Sequence, residues 1–274
     1  MGNLIWLASY PKSGNTWLRA FMHNFLRDPA EPHDIDALAD FTAGENMAAL
    51  YKPYDPRPAS EYSIADVQRM RPAVHRDLTG AFPDLVMVKT HNAVVKVEGV
   101  PLLTPEVTAG AVYILRDPRD VVISYSHHLG WSIDRTIEFM ADEAAATGGT
   151  DARVYERHSS WSTHVQSWTW NLDPAMRILR YEDMLARPAE TFGKVLRFLG
   201  FDPDPDRIGR AIRFSAFEIL QGQERRHGFI ERSEHTEGFF RFGTAGHWRR
   251  ILTTAQTARI ERDHARQMRR FGYL

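Results

Sequence analysis

The 274-residue chain contains no cysteine, which excludes disulfides, thiolate metal sites and cysteine nucleophiles. No stretch approaches the roughly 18 consecutive apolar residues of a membrane span. The N-terminus runs straight into an apolar segment at Leu4 without a basic region and long signal core, so a cytoplasmic protein, bacterial-like in economy, is expected. The formal net charge of −1 lacks the global basic footprint of a nucleic-acid binder. A His-Glu-x-x-His pattern is missing despite twelve histidines, and His127 and His128 are adjacent and so point to different helix faces; no metal site is expected. Also missing is the nucleotide-triphosphatase loop, Gly, four residues, then Gly-Lys-Ser/Thr.

A different anion-binding loop is present. Ser9-Tyr10-Pro11-Lys12-Ser13-Gly14-Asn15-Thr16-Trp17 lies between an apolar run, Leu4 to Ala8, and a helical pattern of Trp17, Leu18, Phe21, Met22 and Phe25. This order reads as strand, tight turn and helix N-terminus, where converging N–H groups and the helix dipole can hold a phosphate. Lys12 precedes the only glycine of the loop and brings a full charge to the anion's edge.

Short β-like runs at Leu4 to Tyr10, Leu85 to His91, Ala111 to Arg116 and Arg177 to Tyr181 alternate with helix-forming segments. That alternation argues for an α/β fold in which a central parallel sheet is flanked by helices. Helices are expected at Ile64 to Arg71, Arg119 to Leu129, Ile133 to Ala146, Trp161 to Trp168, Pro188 to Leu199, Asp206 to Arg213 and Thr253 to Phe271. Tyr51 to Tyr62 and Gly148 to Thr150 read as loops or lid. With 43% hydrophobic residues, the chain can bury its core as one domain over residues 1–274. Lys12, His91, Arg116 and Tyr181 all fall at the carboxyl ends of the expected strands, where open α/β sheets bind ligands. Charge is unevenly placed: 11 acidic residues against 5 Lys/Arg from Asp28 to Asp84, and 11 Arg against 6 acidic residues from Glu224 to Leu274. The basic C-terminal part fits a phosphate ligand.

The loop wording resembles the 5′-phosphosulfate-binding loop of sulfotransferases that use 3′-phosphoadenosine 5′-phosphosulfate (PAPS), and is especially similar to that of bacterial members. Further matches follow in chain order. Tyr113-Ile114-Leu115-Arg116-Asp117-Pro118 and Ser124 resemble the family's 3′-phosphate motif, in which the matching Arg and Ser contact the cofactor. Asp117 suits an N-cap and Pro118 the first helical position, which places Ser124 about two turns along. Val88-Lys89-Thr90-His91 resembles Lys-Thr-His; the resemblance implies His91 as general base and Lys89 facing the transferring group. Trp161 to Trp168 resembles a Trp-x-x-His-Val-x-x-Trp helix whose tryptophans pack. Ile178 to Asp183 resembles a Leu-x-Tyr-Glu-Asp strand, which implies Tyr181 near the adenine; Ser215-Ala216-Phe217 resembles a segment beside the adenosine, and Trp17 and Phe217 would offer π-faces. Arg241-Phe242-Gly243-Thr244-Ala245-Gly246-His247-Trp248-Arg249 resembles the closing segment, with Phe242 in place of an expected Lys.

The resemblance therefore implies a sulfuryl transfer from PAPS to an acceptor hydroxyl, less readily an amine, of a small molecule or natural product, leaving adenosine 3′,5′-bisphosphate (PAP). Lys12, Lys89 and His91 are the expected catalytic residues. Lys12, Ser13, Gly14, Asn15, Thr16, Trp17, Arg116, Ser124, Tyr181, Phe217, Arg241 and Gly243 would hold the cofactor, with Ser124 keeping Lys12 off the bridging oxygen until the acceptor binds. The unmatched stretches 28–84 and 130–160 would line the acceptor side through Tyr51, Tyr54, Tyr62, Trp131 and Phe139, and their acidic residues argue against a polysulfated acceptor. Thr254 and Ala258 depart from the animal dimer motif, so any homodimer would form by another mode. A small-molecule kinase and a non-catalytic PAP-binding protein are the rival readings.

Overall fold

Alternating apolar side chains along the first strand are what organise the molecule. The computed structural model describes residues 3–82, 84–170, 175–202 and 204–274. Strands β1 (Leu4–Ser9), β2 (Val86–Thr90), β3 (Thr108–Leu115) and β4 (Met176–Arg180) form a sheet in the order β2-β1-β3-β4. Every pairing is parallel, with Leu4 opposite Val86, Ser9 opposite Ile114 and Leu115 opposite Arg180. All six residues of β1 are buried, as a strand covered on both faces requires.

Successive strand residues point to opposite faces, so two cores form. Leu4, Trp6 and Tyr113 pack with Val121 and Val122 of α3 (Pro118–Leu129), Trp161 and Trp168 of α5 (Trp161–Thr169), and Ile260 and Met268 of α10 (Thr254–Arg270). On the other face Ile5, Leu7 and Ile114 meet Leu18 and Phe21 of α1 (Asn15–Arg27), Phe192 and Leu196 of α7 (Pro188–Phe198), and Ile208 of α8 (Pro205–Phe214). The remaining longer helices are α2 (Ile64–Leu78), α4 (Ile133–Ala141), α6 (Tyr181–Ala186) and α9 (Phe217–His227). Among the described residues no helix is long and apolar enough to cross a membrane.

Three elements differ from the sequence expectation, each for a local reason. Helix α2 does not stop at Arg71 but continues through Pro72 to Leu78. Buried Val74 and Leu78 carry its apolar face past the proline, and a Ser63–Asp66 capping box fixes its start. Helix α4 ends at Ala141 rather than Ala146 because Asp142 turns the chain by accepting from the Ala144 N–H at 2.8 Å. Ala146–Thr147 then pairs antiparallel with Glu156–Arg157. Helix α9 was not expected, because it offers few apolar positions: of its residues only Leu220, Gln223 and Glu224 are buried.

Candidate active site

The turn after β1 prepares an anion cradle from backbone alone. Gly14 is the N-cap of α1 at φ 107°, and no side chain caps the helix, which leaves its first amides facing outward. A Cβ on Gly14 would lie 2.7 Å from Cδ2 of Tyr181, so both backbone angle and space demand glycine. Lys12 also adopts a left-handed φ of 66°. Asn15 is turned inward, its Nδ2 donating to the Leu7 carbonyl at 2.8 Å, and so ties the turn to the strand. Ser13 is buried, and its Oγ has no partner.

Arg116, directly after β3, joins this turn to the chain's closing segment. Its guanidinium donates to the carbonyls of Lys12 (3.1 Å) and Thr244 (3.2 Å) and lies 4.3 Å from the Tyr181 ring centroid. Its buried Nε has no partner. Asp117 caps α3 through the Arg119 N–H and Pro118 takes the first helical position, as expected. The closing segment is pinned to α3 by Asp120, which accepts from the N–H groups of Gly246 (2.6 Å) and Trp248 (3.0 Å). Gly243, at φ 64°, lies so close to the Phe217 ring that a Cβ would fall 2.4 Å from it. Lys12, Gly14, Asn15, Thr16, Trp17, Arg116, Ser124, Tyr181, Phe217, Arg241 and Gly243 all border one cavity of about 540 Å³. Of the expected cofactor contacts, only Ser13 sits behind its wall.

The three expected catalytic residues border the same cavity. His91 follows β2, and its Nδ1 lies 2.8 Å from the Ser9 carbonyl. A carbonyl only accepts, so Nδ1 carries the proton and Nε2 keeps its lone pair. Burial, reinforced by nearby Lys89, pushes the imidazole pKa well below its ordinary value, which keeps His91 neutral. Lys89 Nζ is 3.0 Å from Glu231, whose other oxygen is 2.6 Å from Arg19. Burial raises the Glu231 carboxyl, but Lys89 and Arg19 outweigh it and hold the group well below the usual range. Lys12 Nζ rests 3.6 Å from the Phe239 ring centroid. Burial and then the charge of Lys89 lower its pKa to about 7.

Beneath His91 lies a buried polar network. The His91 carbonyl is 3.1 Å from both His158 Nδ1 and His164 Nε2, so those nitrogens carry protons. The His91 N–H donates to Glu156 at 3.3 Å, and Asn46 donates to the other Glu156 oxygen at 2.7 Å. Glu45 pairs with Arg71 and accepts from Asn92, while Trp168 donates to the Asn92 carbonyl at 2.9 Å. Burial, then Glu45, pushes the Glu156 carboxyl up to about 7.

Glu231, Phe239, Asn46, Glu156 and His158, all on the cavity wall, went unmarked in the sequence because they stand in no recognisable motif. Conversely, the aromatics expected at the acceptor side lie elsewhere. Tyr51 and Tyr62 join a satellite core with Val67 and Val74, Tyr54 is exposed and bonded to Asp77, and Trp131 packs edge-on against Phe139 at 5.4 Å. Their apolar bulk serves folding around α2 and α4. From the stretches 28–84 and 130–160 and the end of α3, the cavity is bordered instead by Asn46, His128, Thr147, Thr150, Arg153, Glu156 and His158. His128 therefore faces the cavity whereas its neighbour His127 is exposed. Among the described residues no group of three or more His, Asp or Glu side chains is placed to hold a metal ion.

Comparison with known proteins agrees with this geometry. Dog sulfotransferase 1A1 is 23% identical over 97% of this chain and 83% of its own length. The plant flavonol 3-sulfotransferase of Flaveria bidentis is 24% identical over 95% and 80%. Rat sulfotransferase 2A6 is 27% identical over 60% of this chain, and that match spans 58% of the rat protein. The solved structure of retinol dehydratase with androsterone and PAP covers 97% of this chain and 80% of its own at 20% identity and a TM-score of 0.68. A mouse sulfotransferase complexed with PAP gives 0.62 at 19% identity over 97% and 85%, so the fold is shared. The sulfotransferase domain family matches residues 3–272, and the chain belongs to that family of enzymes.

Proposed function

We propose that this chain transfers the sulfuryl group of PAPS to a hydroxyl of a small-molecule acceptor, at the cavity above the carboxyl ends of β1, β2 and β3. The observation that carries the reading is the convergence on one cavity of Lys12, Lys89 and a neutral His91 beside an uncapped helix N-terminus. The residues present suit a phosphate-rich ligand: Trp17 Nε1 and Arg116 Nε, on residues that border the cavity, are buried polar atoms without partners, and such groups call for a ligand. PAPS, when bound, supplies an activated sulfuryl group and leaves as PAP.

The chain's own residues would do the rest by position and charge. The amides opening α1 and the side chains of Arg116, Ser124 and Arg241 would hold phosphates, with Tyr181, Trp17 and Phe217 against the base. Lys12 and Lys89 would set positive charge where negative charge gathers, and His91 Nε2 would take the acceptor's proton. Residues 1–274 are taken as one domain, with 28–84 and 130–160 on the acceptor side and a cytoplasmic location. In this structure Lys12 Nζ lies over the Phe239 ring and makes no hydrogen bond to Ser124, so the Ser124 restraint would belong to another state of Lys12.

The test is thermal stability in EDTA. PAP should raise the melting temperature without any metal, by an amount that grows with its concentration over its Kd. Stabilisation by ATP with Mg²⁺ and none by PAP would favour a kinase instead.

A further inference from the structure

At the proposed acceptor end of the cavity stands a cation, Arg153, that no anion among the described residues pairs with. Glu231 is shared by Lys89 and Arg19, and Glu45 is taken by Arg71. Glu156 spends its oxygens on Asn46 and the His91 N–H, and burial has moved it towards neutrality. Arg153 borders the cavity, yet its guanidinium makes no hydrogen bond or ion pair with the described residues.

Arg153 is exposed, but its backbone is held in place. A tight turn joins it to Thr150, whose N–H donates to the Arg153 carbonyl at 2.7 Å, and a β-bridge joins it to Met47. The next residue, Val154, donates to the Asn46 carbonyl at 2.8 Å. The positive field of Arg153 reaches into the site: it is among the charges that lower the pKa of Lys89 and His128 and restrain that of Glu156. The wall beside it is made for hydrogen bonding, with Asn46, Thr147, Thr150 and His158, and His128 Nδ1 is buried without a partner. A wholly apolar acceptor would leave the buried His128 Nδ1 unpaired, which costs affinity.

Resting on the sulfotransferase reading above, we propose that the acceptor is a hydroxyl compound that also carries an oxyanion, and that Arg153 is the residue that binds this oxyanion. Guanidinium meets a carboxylate with two parallel N–H donors. A single unpaired arginine fits one such group, not an array of them.

The test uses the full chain loaded with PAP and matched pairs of probes: 3-hydroxybenzoate and 4-hydroxyphenylacetate against their methyl esters. Each acid should bind about tenfold tighter than its ester at low salt, the scale of one charge-assisted contact. Arg153→Gln should abolish that preference, Arg153→Lys should keep part of it, and PAP affinity should stay unchanged in both as evidence of an intact fold. Acids and esters that bind alike or not at all, or an acid preference that survives in Arg153→Gln, would overturn the proposal while PAP binding leaves the parent reading standing. PAP failing to bind the wild-type chain would sink both.

Discussion

The end of the cavity proposed for the nucleotide is built largely from backbone near the ends of β1 and β3, whereas the end proposed for the acceptor is built from side chains that three distant stretches bring together. At the first, Gly14, the uncapped start of α1 and the Asp120-pinned closing segment fix N–H groups in space, and few substitutions could reproduce them. At the second, Asn46 and Glu231 come from loops and Glu156 from a short strand pair; Asn46 bonds Glu156, which accepts from the His91 N–H, and Glu231 pairs with Lys89. On the proposed reading, backbone geometry holds the cofactor, and loop side chains select the acceptor.

The sharpest way to break this division is to remove His91, which sits on the boundary. His91→Ala should cut sulfuryl transfer by on the order of 10²-fold or more, the scale of a positioned general base, while leaving PAP affinity unchanged. Lys89 is a poorer choice: deleting one member of a buried ion-pair group costs roughly 3–5 kcal/mol and would mix folding with chemistry. Transfer by the His91 variant within a few-fold of wild type, measured with labelled PAPS, would move the base to the acceptor wall, with His128 the first candidate because it borders the cavity.

The same division explains what could be read from the sequence. All four sheet strands and the anion loop are legible because their information is local: apolar runs, one glycine and one lysine at fixed spacing. Arg116 and Ser124 are picked out by the resemblance of their motif, and both border the cavity. Glu156, by contrast, looks in sequence like any surface carboxylate, and only the pairing of Ala146–Thr147 with Glu156–Arg157 turns it under His91. Glu231 reaches Lys89 across 142 residues of chain, a juxtaposition that no window of sequence contains. Aromatics such as Tyr51 and Tyr62 mislead for the opposite reason, because apolar bulk draws them into a core before it can line a ligand site.

A second prediction turns on protons at the nucleotide end. Lys12 has a pKa of about 7 in the free chain, so near neutrality a large fraction is unprotonated. A phosphate beside it favours the ammonium form and raises that pKa in the complex. PAP should therefore bind with net proton uptake near pH 7, and its affinity should fall as pH rises from 7 towards 9. By the same sign, affinity should level off below pH 6, where Lys12 is already charged, as long as the ligand's own phosphates do not gain protons. Calorimetry in two buffers of different ionisation enthalpy measures the uptake directly, and equal heats in both near pH 7 would place Lys12 away from the bound phosphate.

The smallest effect expected concerns Phe242, which with Arg249 departs from the closing-segment pattern and, unlike Arg249, removes a charge. Its ring is 42% exposed, stacks on His247 at 4.4 Å and lies 4.8 Å from the Arg241 guanidinium, at the rim of the cavity. An exposed position puts any charge placed there under salt screening, with a Debye length of about 10 Å at 0.1 M. Phe242→Lys should thus tighten PAP by only a few-fold at low ionic strength, and the gain should vanish towards 1 M salt, where the Debye length is about 3 Å. It should leave acceptor discrimination untouched, because Phe242 and Arg153 serve opposite ends of the cavity. If PAP affinity stays constant at every ionic strength, the closing segment does not face a phosphate. If instead the substitution changes the preference between acid and ester acceptors, the two ends are coupled and the division drawn here fails.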